Sequence, residues 1–214
     1  MPVRNQRGVA KWVKILLWTT VILLVLSLAT CTMGGLFLFK SATDATDPKK
    51  IAPILDSMVS MTTPLPDKFK LQMAVDMYDL MKVKFACLKN KDATLEFYIV
   101  RFKNSEKTEY TAQQFIDEMA NNKKTIASAG AASEAMKGFV VKEKGSMPVA
   151  GVDMPIAIGT TENEVSQIKR PALFGCIVPD KTNIQLICAF GPEGTEELDK
   201  KSVSEFFNLI KAVK

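Results

Sequence analysis

The sequence predicts an α+β protein, in which an N-terminal transmembrane helix precedes one antiparallel-sheet domain with helices packed on it. Three observations carry this reading. Residues 15–39 form a run of 25 residues without a formal charge, closed by Lys14 and Lys40. Beyond Lys40 the apolar residues change period repeatedly, from about 3.6 to 2 and back, in the order helix, three strands, helix, about four strands, helix. The strand-like runs are joined by short turn-forming stretches, which favours neighbouring antiparallel strands over parallel crossovers.

The uncharged run comes first. At ~1.5 Å per residue it reaches roughly 37 Å as a helix, enough to cross a hydrocarbon core of ~30 Å with some tilt. Trp12 and Trp18 lie near its basic end, where indole rings favour the membrane interface. Arg4, Arg7, Lys11 and Lys14 precede it with no acidic residue among them. The positive-inside bias therefore makes 1–14 a cytoplasmic basic segment, 15–39 a transmembrane helix contacting the lipid bilayer, 40–47 a linker and 48–214 an extracytoplasmic domain. Lys14 and Lys40 mark the membrane boundaries. Cys31 admits three readings: the lipidated first residue of a lipoprotein, part of a cleavage site, or an interior residue of an uncleaved signal anchor. Thr30 before it and the apolar "LFLF" after it favour the anchor.

In the exported part, Asp47-Pro48 is an N-cap and first-position pair, and Ile51, Leu55, Met58 and Val59 follow at helical spacing. "TTPLP" stops that helix. Leu71, Met73, Val75 and Met77 alternate with more polar residues, as do Met81, Val83, Phe85 and Cys87. "ATLEFYIVRF" at 93–102 completes a three-stranded meander after the turn "KNKD". Thr111 and Gln114 form a capping-box pattern, with Ala112, Phe115, Ile116 and Met119 as one stripe. "IASAGAASEAMKG" reads as a further helix ending at Gly138. Strands return at "FVVKEKG", near 152–158 and around 165–170, followed by the hairpin "PALFGCIV" and "IQLICAF" across "PDKTN". Ser202 and Glu205 read as a capping box opening a last helix, "SVSEFFNLIKAVK".

"TDPKKIAPIL" running into "PLPDKFKLQMAVDM" resembles uncharacterised single-pass bacterial membrane proteins with the same anchor and linker. The element order, with "VAGVDMPIAIG" and a last hairpin before a terminal helix, is similar to the PsbP-like α/β sandwich over about 48–214. That resemblance implies a non-enzymatic accessory of a membrane complex.

Composition excludes several classes. The chain has no His, which removes the commonest general base and metal ligand. Its formal charge of +5 comes mostly from the N-terminal segment, leaving 24 basic and 23 acidic residues in 40–214. A surface that near to neutral gives no footprint for nucleic acid. No spacing selects a catalytic, cofactor-binding or metal-ligating set. Met73, Met77 and Met81 could hold Cu(I) but read as core filling. The acidic "PEGTEELD" lacks calcium-loop spacing and reads as helix-end acids. Lys68, Lys70, Lys82 and Lys84 read as a solvated or edge-protecting face.

Cys176 and Cys188 are the sharpest pair. With a three-residue loop centred on Thr182 they face each other directly, within reach of a disulfide that export permits. The other reading is two buried free thiols on an apolar face with Phe174, Val178, Leu186 and Phe190. The functional reading is a membrane-anchored, extracytoplasmic, non-enzymatic domain that binds a protein partner or supports an envelope complex. The alternative is a carrier or sensor holding a small apolar ligand between sheet and helices, and an enzyme with an unfamiliar Cys- or carboxylate-based site is a third.

Overall fold

The computed structural model describes residues 45–92, 94–103, 111–121, 138–162 and 166–214. The transmembrane run 15–39, its boundary residues Lys14 and Lys40, Cys31 and the helix expected over 126–138 lie outside them, apart from Gly138 itself. No helix among the described residues is long and apolar enough to cross a membrane.

Helix α1 (Pro48–Met58) starts as its sequence demands. The Asp47 carboxylate accepts from the Lys49 N–H at 3.0 Å, and Pro48 takes the first position, where its missing N–H costs nothing. Ile51, Leu55 and Met58 are its buried stripe. Strand β1 (Val59–Met61) follows at once. Then come β2 (Phe69–Met77), the single-turn helix α2 (Tyr78–Met81), β3 (Val83–Asn90) and β4 (Glu96–Lys103). Helix α3 (Ala112–Ala120) carries the expected capping box. Gln114 N donates to Thr111 Oγ1 at 3.2 Å, and Thr111 N donates to Gln114 Oε1 at 2.9 Å. The remaining strands are β5 (Val140–Val149), β6 (Val152–Glu162), β7 (Lys169–Asp180) and β8 (Asn183–Phe190). Helix α4 (Lys200–Leu209) and β9 (Ile210–Val213) end the chain.

Seven strands form one antiparallel sheet in the order β2-β3-β4-β8-β7-β6-β5. Two sequential meanders are thus joined by one non-sequential pairing, β4 against β8. A separate two-stranded ribbon pairs β1 with β9. Residues 44–214 form one compact unit, and the buried residues of both its cores come from 51–210, so the unit carries its own cores.

Both faces of the sheet are apolar. One face, with Leu88, Phe97, Ile99, Met154, Leu173 and Ile187, packs against α1, α4 and the β1–β9 ribbon. Phe97 stacks on Phe206 of α4 at 3.9 Å between ring centres, with Phe69 edge-on to Phe97. The other face packs against α3 through Phe115, Ile116 and Met119, with Phe139 beside them.

Four expectations are corrected. The stretch 165–170 is not a strand of its own. Residues 166–168 are a turn and loop, and Lys169-Arg170 open β7. The cap of α4 is Asp199, whose carboxylate accepts from Lys201 N at 3.0 Å and Ser202 N at 3.2 Å, while Glu205 pairs with Lys68. The last helix stops at Leu209, because Ile210–Val213 gain a strand partner in β1. In β2 an extra residue at Gln72 breaks the alternation: Leu71 pairs with Leu88, but Met73 pairs with Cys87. Leu71 therefore packs on the helix side, while Met73, Val75 and Met77 are displayed on the opposite face.

The β4–β8 joint contains a buried cation. Arg101 and Gln185 are registered neighbours, 9% and 0% exposed. Arg101 Nε and Nη2 donate to Gln185 Oε1 at 3.2 and 2.8 Å. Its Nη1 and Nη2 donate to the Ser57 and Met58 carbonyls at 3.1 and 3.0 Å. Those carbonyls are the last of α1, where the helix dipole favours a cation. Burial pulls the Arg101 pKa below its ordinary value, with Asp180 and Tyr78 opposing.

Replacing Arg101 with Met strips the donor from two buried carbonyls and one amide oxygen. Urea unfolding of residues 44–214 is expected to show a loss of about 3 kcal/mol. Arg101→Lys, with a single donor head in place of a fork, restores only part of it.

An apolar cleft as candidate functional site

The bulge in β2 has a chemical result. With Met73, Val75 and Met77 turned to the α3 side, five strands contribute apolar side chains to one concave surface. Cross-strand register sets the rows. Met73, Cys87, Tyr98, Cys188 and Phe174 follow one another across β2, β3, β4, β8 and β7, with Val75, Phe85, Val100, Leu186 and Cys176 in the next row. Helix α3 has its main contacts with β6 and β7, and its Phe115 also packs on Phe102 of β4, 5.9 Å between ring centres; toward the β2 edge, Met73, Val75, Met77 and Phe85 are only half-buried. A cleft of about 410 Å³ results, and every residue that lines it belongs to a strand. That volume lies within the range of small-molecule sites.

One charged side chain, Arg170 at the start of β7, belongs to the lining. Its guanidinium carbon lies 4.3 Å from the ring centre of Phe190, and its Nη1 donates to Glu96 Oε2 at 3.4 Å. The same carboxylate oxygen accepts the Tyr98 hydroxyl at 3.0 Å. Arg170 Nε is buried with no hydrogen-bond partner among the described residues. The chain before α1 runs along the outer edge of β2, where Ala74 N donates to Ala45 O at 3.0 Å.

Cys176 and Cys188 share the α3-side face with Phe174, Leu186 and Phe190, and both are free thiols. They do not stand opposite each other. Phe174 faces Cys188 and Leu186 faces Cys176, a register two residues from the one a direct pair requires. The turn supplies one residue of that shift and an irregularity between Ile177 and Asp180 the other. Asp180 Oδ1 accepts from Thr182 N at 2.7 Å and Asn183 N at 2.9 Å, and Oδ2 accepts from Asn183 Nδ2 at 2.8 Å. These bonds, with Asn183 and Thr182 foremost, hold the Asp180 carboxyl down at about 2 and pair Asp180 with Asn183 across a two-residue turn. Diagonal neighbours in a sheet lie about 7–8 Å apart, beyond disulfide reach without backbone movement.

Of the other candidates, Met73 and Met77 line the cleft. The side chain of Met81 lies outside the described residues. Glu196, Glu197 and Asp199 border a different cleft of about 460 Å³, shared with Lys142, Glu143 and Lys200. Among the described residues no group of three or more His, Cys, Asp or Glu side chains is arranged to hold a metal ion. Lys84 is only partly solvated, lying 3.0 Å from Asp76 and donating to Ser57 Oγ at 3.1 Å.

Burial sets the thiol chemistry. It raises the Cys87 pKa from 9.0 to about 11, assisted by Glu96 and opposed by Tyr98 and Lys89. It pushes Cys176 and Cys188 higher still. Native residues 44–214 are expected to react slowly with a thiol reagent at pH 8. Denaturation without reductant is expected to release three equivalents, with peptide mapping showing label on both Cys176 and Cys188; a single equivalent would mean a bonded pair. The unfolded chain ionises its thiols from about pH 9, whereas folded Cys87 holds its proton to about 11. Unfolding thus releases protons in that window, and stability falls as pH rises from 9, by at most about 1.4 kcal/mol per pH unit per thiol. Urea titrations between pH 8 and 11 measure this slope.

No protein-family model matches the chain, and no curated protein does. The PsbP-like resemblance therefore gains no support from them. Among solved structures, the chain is similar to LpqN of Mycobacterium tuberculosis, described as involved in cell envelope biogenesis. The identity is 10%, over 71% of this chain and 79% of that one, with a TM-score of 0.32. A likeness at this level carries no statement about the activity of this chain.

Proposed function

We propose that residues 44–214 form a non-enzymatic binding domain, tethered to a membrane through 15–39 and lying on its extracytoplasmic side, which holds a small apolar ligand in the cleft over β2, β3, β4 and β8. The observation that carries this reading is the cleft itself: a concave, strand-lined surface of about 410 Å³ in which Met, Val, Phe and Leu side chains predominate. Two methionines on its rim suit a site that must adapt to ligand shape. A flat protein-docking surface is less well supported. Among the described residues the exposed large apolar ones are Val140, Val152 and Ile168, and the first two lie at opposite ends of the β5–β6 hairpin. The tether rests on the uncharged run and its flanking charges.

The test uses residues 44–214 labelled with ¹³C at the methionine methyls. Dodecanol, a neutral single-chain probe, is expected to shift the Met73 and Met77 resonances and leave that of Met154, buried on the opposite face, in place. Val75→Trp, which fills the cleft from the edge strand, is expected to remove the response while keeping the Met154 resonance. Unchanged Met73 and Met77 resonances at saturating dodecanol would overturn the reading.

A further inference from the structure

We infer that the cleft is selective for amphiphiles, taking a single apolar chain whose head is an oxyanion bound by Arg170. This rests on the apolar-ligand reading above and adds the chemistry of the ligand's polar end.

The argument starts from what a guanidinium requires. It carries five N–H donors in a rigid fork and is rarely left without acceptors when buried. Arg170 has a side chain only 21% exposed, yet among the described residues the one acceptor its donors meet is Glu96 at 3.4 Å, at the long end for a charge-assisted bond. Its Nε is shut off from solvent by the fold and has no partner among the described residues. Glu96 does not saturate the fork: it meets Nη1 alone, through an oxygen that also accepts the Tyr98 hydroxyl at 3.0 Å. The Phe190 ring beneath the guanidinium fixes its place without consuming an N–H.

The rest of the lining supplies the complementary half. From Arg170 and Phe190 the surface runs through Tyr98 and Phe174 toward Val100, Val75 and Met77, with no second charge. A wholly apolar ligand would leave the fork unmet. A ligand with an anionic head at Arg170 and its chain along this floor satisfies both ends. Carboxylate and phosphate oxygens share the acceptor geometry that the fork recognises.

The experiment compares dodecanol, dodecanoate and dodecyl phosphate against residues 44–214, read at the Met73 and Met77 methyls. The expected result is that at least one of the two anions binds about ten-fold or more tightly than dodecanol. Dodecanoate ahead of dodecyl phosphate marks a fatty-acid type of ligand, and the reverse order a lipid phosphate. Arg170→Met is expected to abolish the preference for the anions over dodecanol, with the Met154 resonance in place as the check on the fold. Glu96→Gln, which removes the competing carboxylate but keeps an acceptor for Tyr98, is expected to widen the preference several-fold. Equal affinity for all three probes, or a preference that survives Arg170→Met, overturns this inference alone. Failure of all three probes to move Met73 and Met77 overturns the apolar-ligand reading and this inference with it.

Discussion

The pairing of β4 with β8 is the constraint on which the rest of the domain depends, and Arg101 with Gln185 is the interaction that locks it. Each meander on either side of that joint is local and needs only short turns. The joint is not local: Arg101 and Gln185 are 84 positions apart in sequence. Loop closure over that distance carries an entropic cost, which the contacts at the joint must offset. Arg101 does more than bridge two strands. By donating to the Ser57 and Met58 carbonyls it ties the end of α1 to the same point, so helix, first meander and second meander meet at one side chain. Through α1 the constraint extends to β1, whose partner β9 ends the chain. The helix-side core is thereby closed by residues from both termini of the domain.

The cleft is a consequence of the same joint. Its floor is drawn from β2, β3 and β4 on one side and from β7 and β8 on the other. Neither meander alone would present it. The helix side of the same strands is filled by α1, α4 and the ribbon, so this cleft opens on the opposite face. Helix α3 covers β6 and β7, the half of that face in which Ala157, Ala172 and Phe174 lie. The bulge at Gln72 completes the arrangement. Without the extra residue, Met73, Val75 and Met77 would follow Leu71 onto the helix side, and the outer rim of the cleft would be polar.

How much of this was legible follows from whether each signal is local. The starts of α1 and α3 were readable at Asp47-Pro48 and at Thr111 with Gln114, because a cap is a contact between residues two or three apart. The strands around Val83 and Phe97 were readable from alternation. The bulge was not, since a pattern of Leu71, Met73, Val75 and Met77 has perfect period 2 and only the pairing with β3 reveals the slip. Nor was β9, because Ile210 continues the apolar stripe of α4 and only the distant β1 draws it into a strand. The hairpin register turned on Asp180, whose carboxylate bonds favour a two-residue turn over the three-residue loop centred on Thr182, and on the irregularity between Ile177 and Asp180, which no local pattern announces. The cleft was least legible of all. Arg170 fell in a stretch read as a separate strand, and nothing in sequence placed it within reach of Glu96, 74 positions away.

Two arginines of the sheet show why one is read as scaffold and the other as part of a site. Arg101 is buried and Arg170 half-buried with its Nε shut off from solvent, and a buried guanidinium N–H needs an acceptor. Arg101 finds neutral acceptors: four bonds of 2.8 to 3.2 Å employ four of its five N–H donors, with Nε, Nη1 and Nη2 all engaged. Arg170 has a formal counter-ion, which ought to be the stronger partner, yet meets it once and at 3.4 Å. A bidentate pairing would bring both Glu96 oxygens onto the fork, whereas here one oxygen meets Nη1 alone and also accepts the Tyr98 hydroxyl. The same residue type is engaged at all three nitrogens where it holds strands together and under-used where it faces an apolar cleft. That contrast within one sheet is the physical ground for assigning the second arginine to a ligand rather than to the fold.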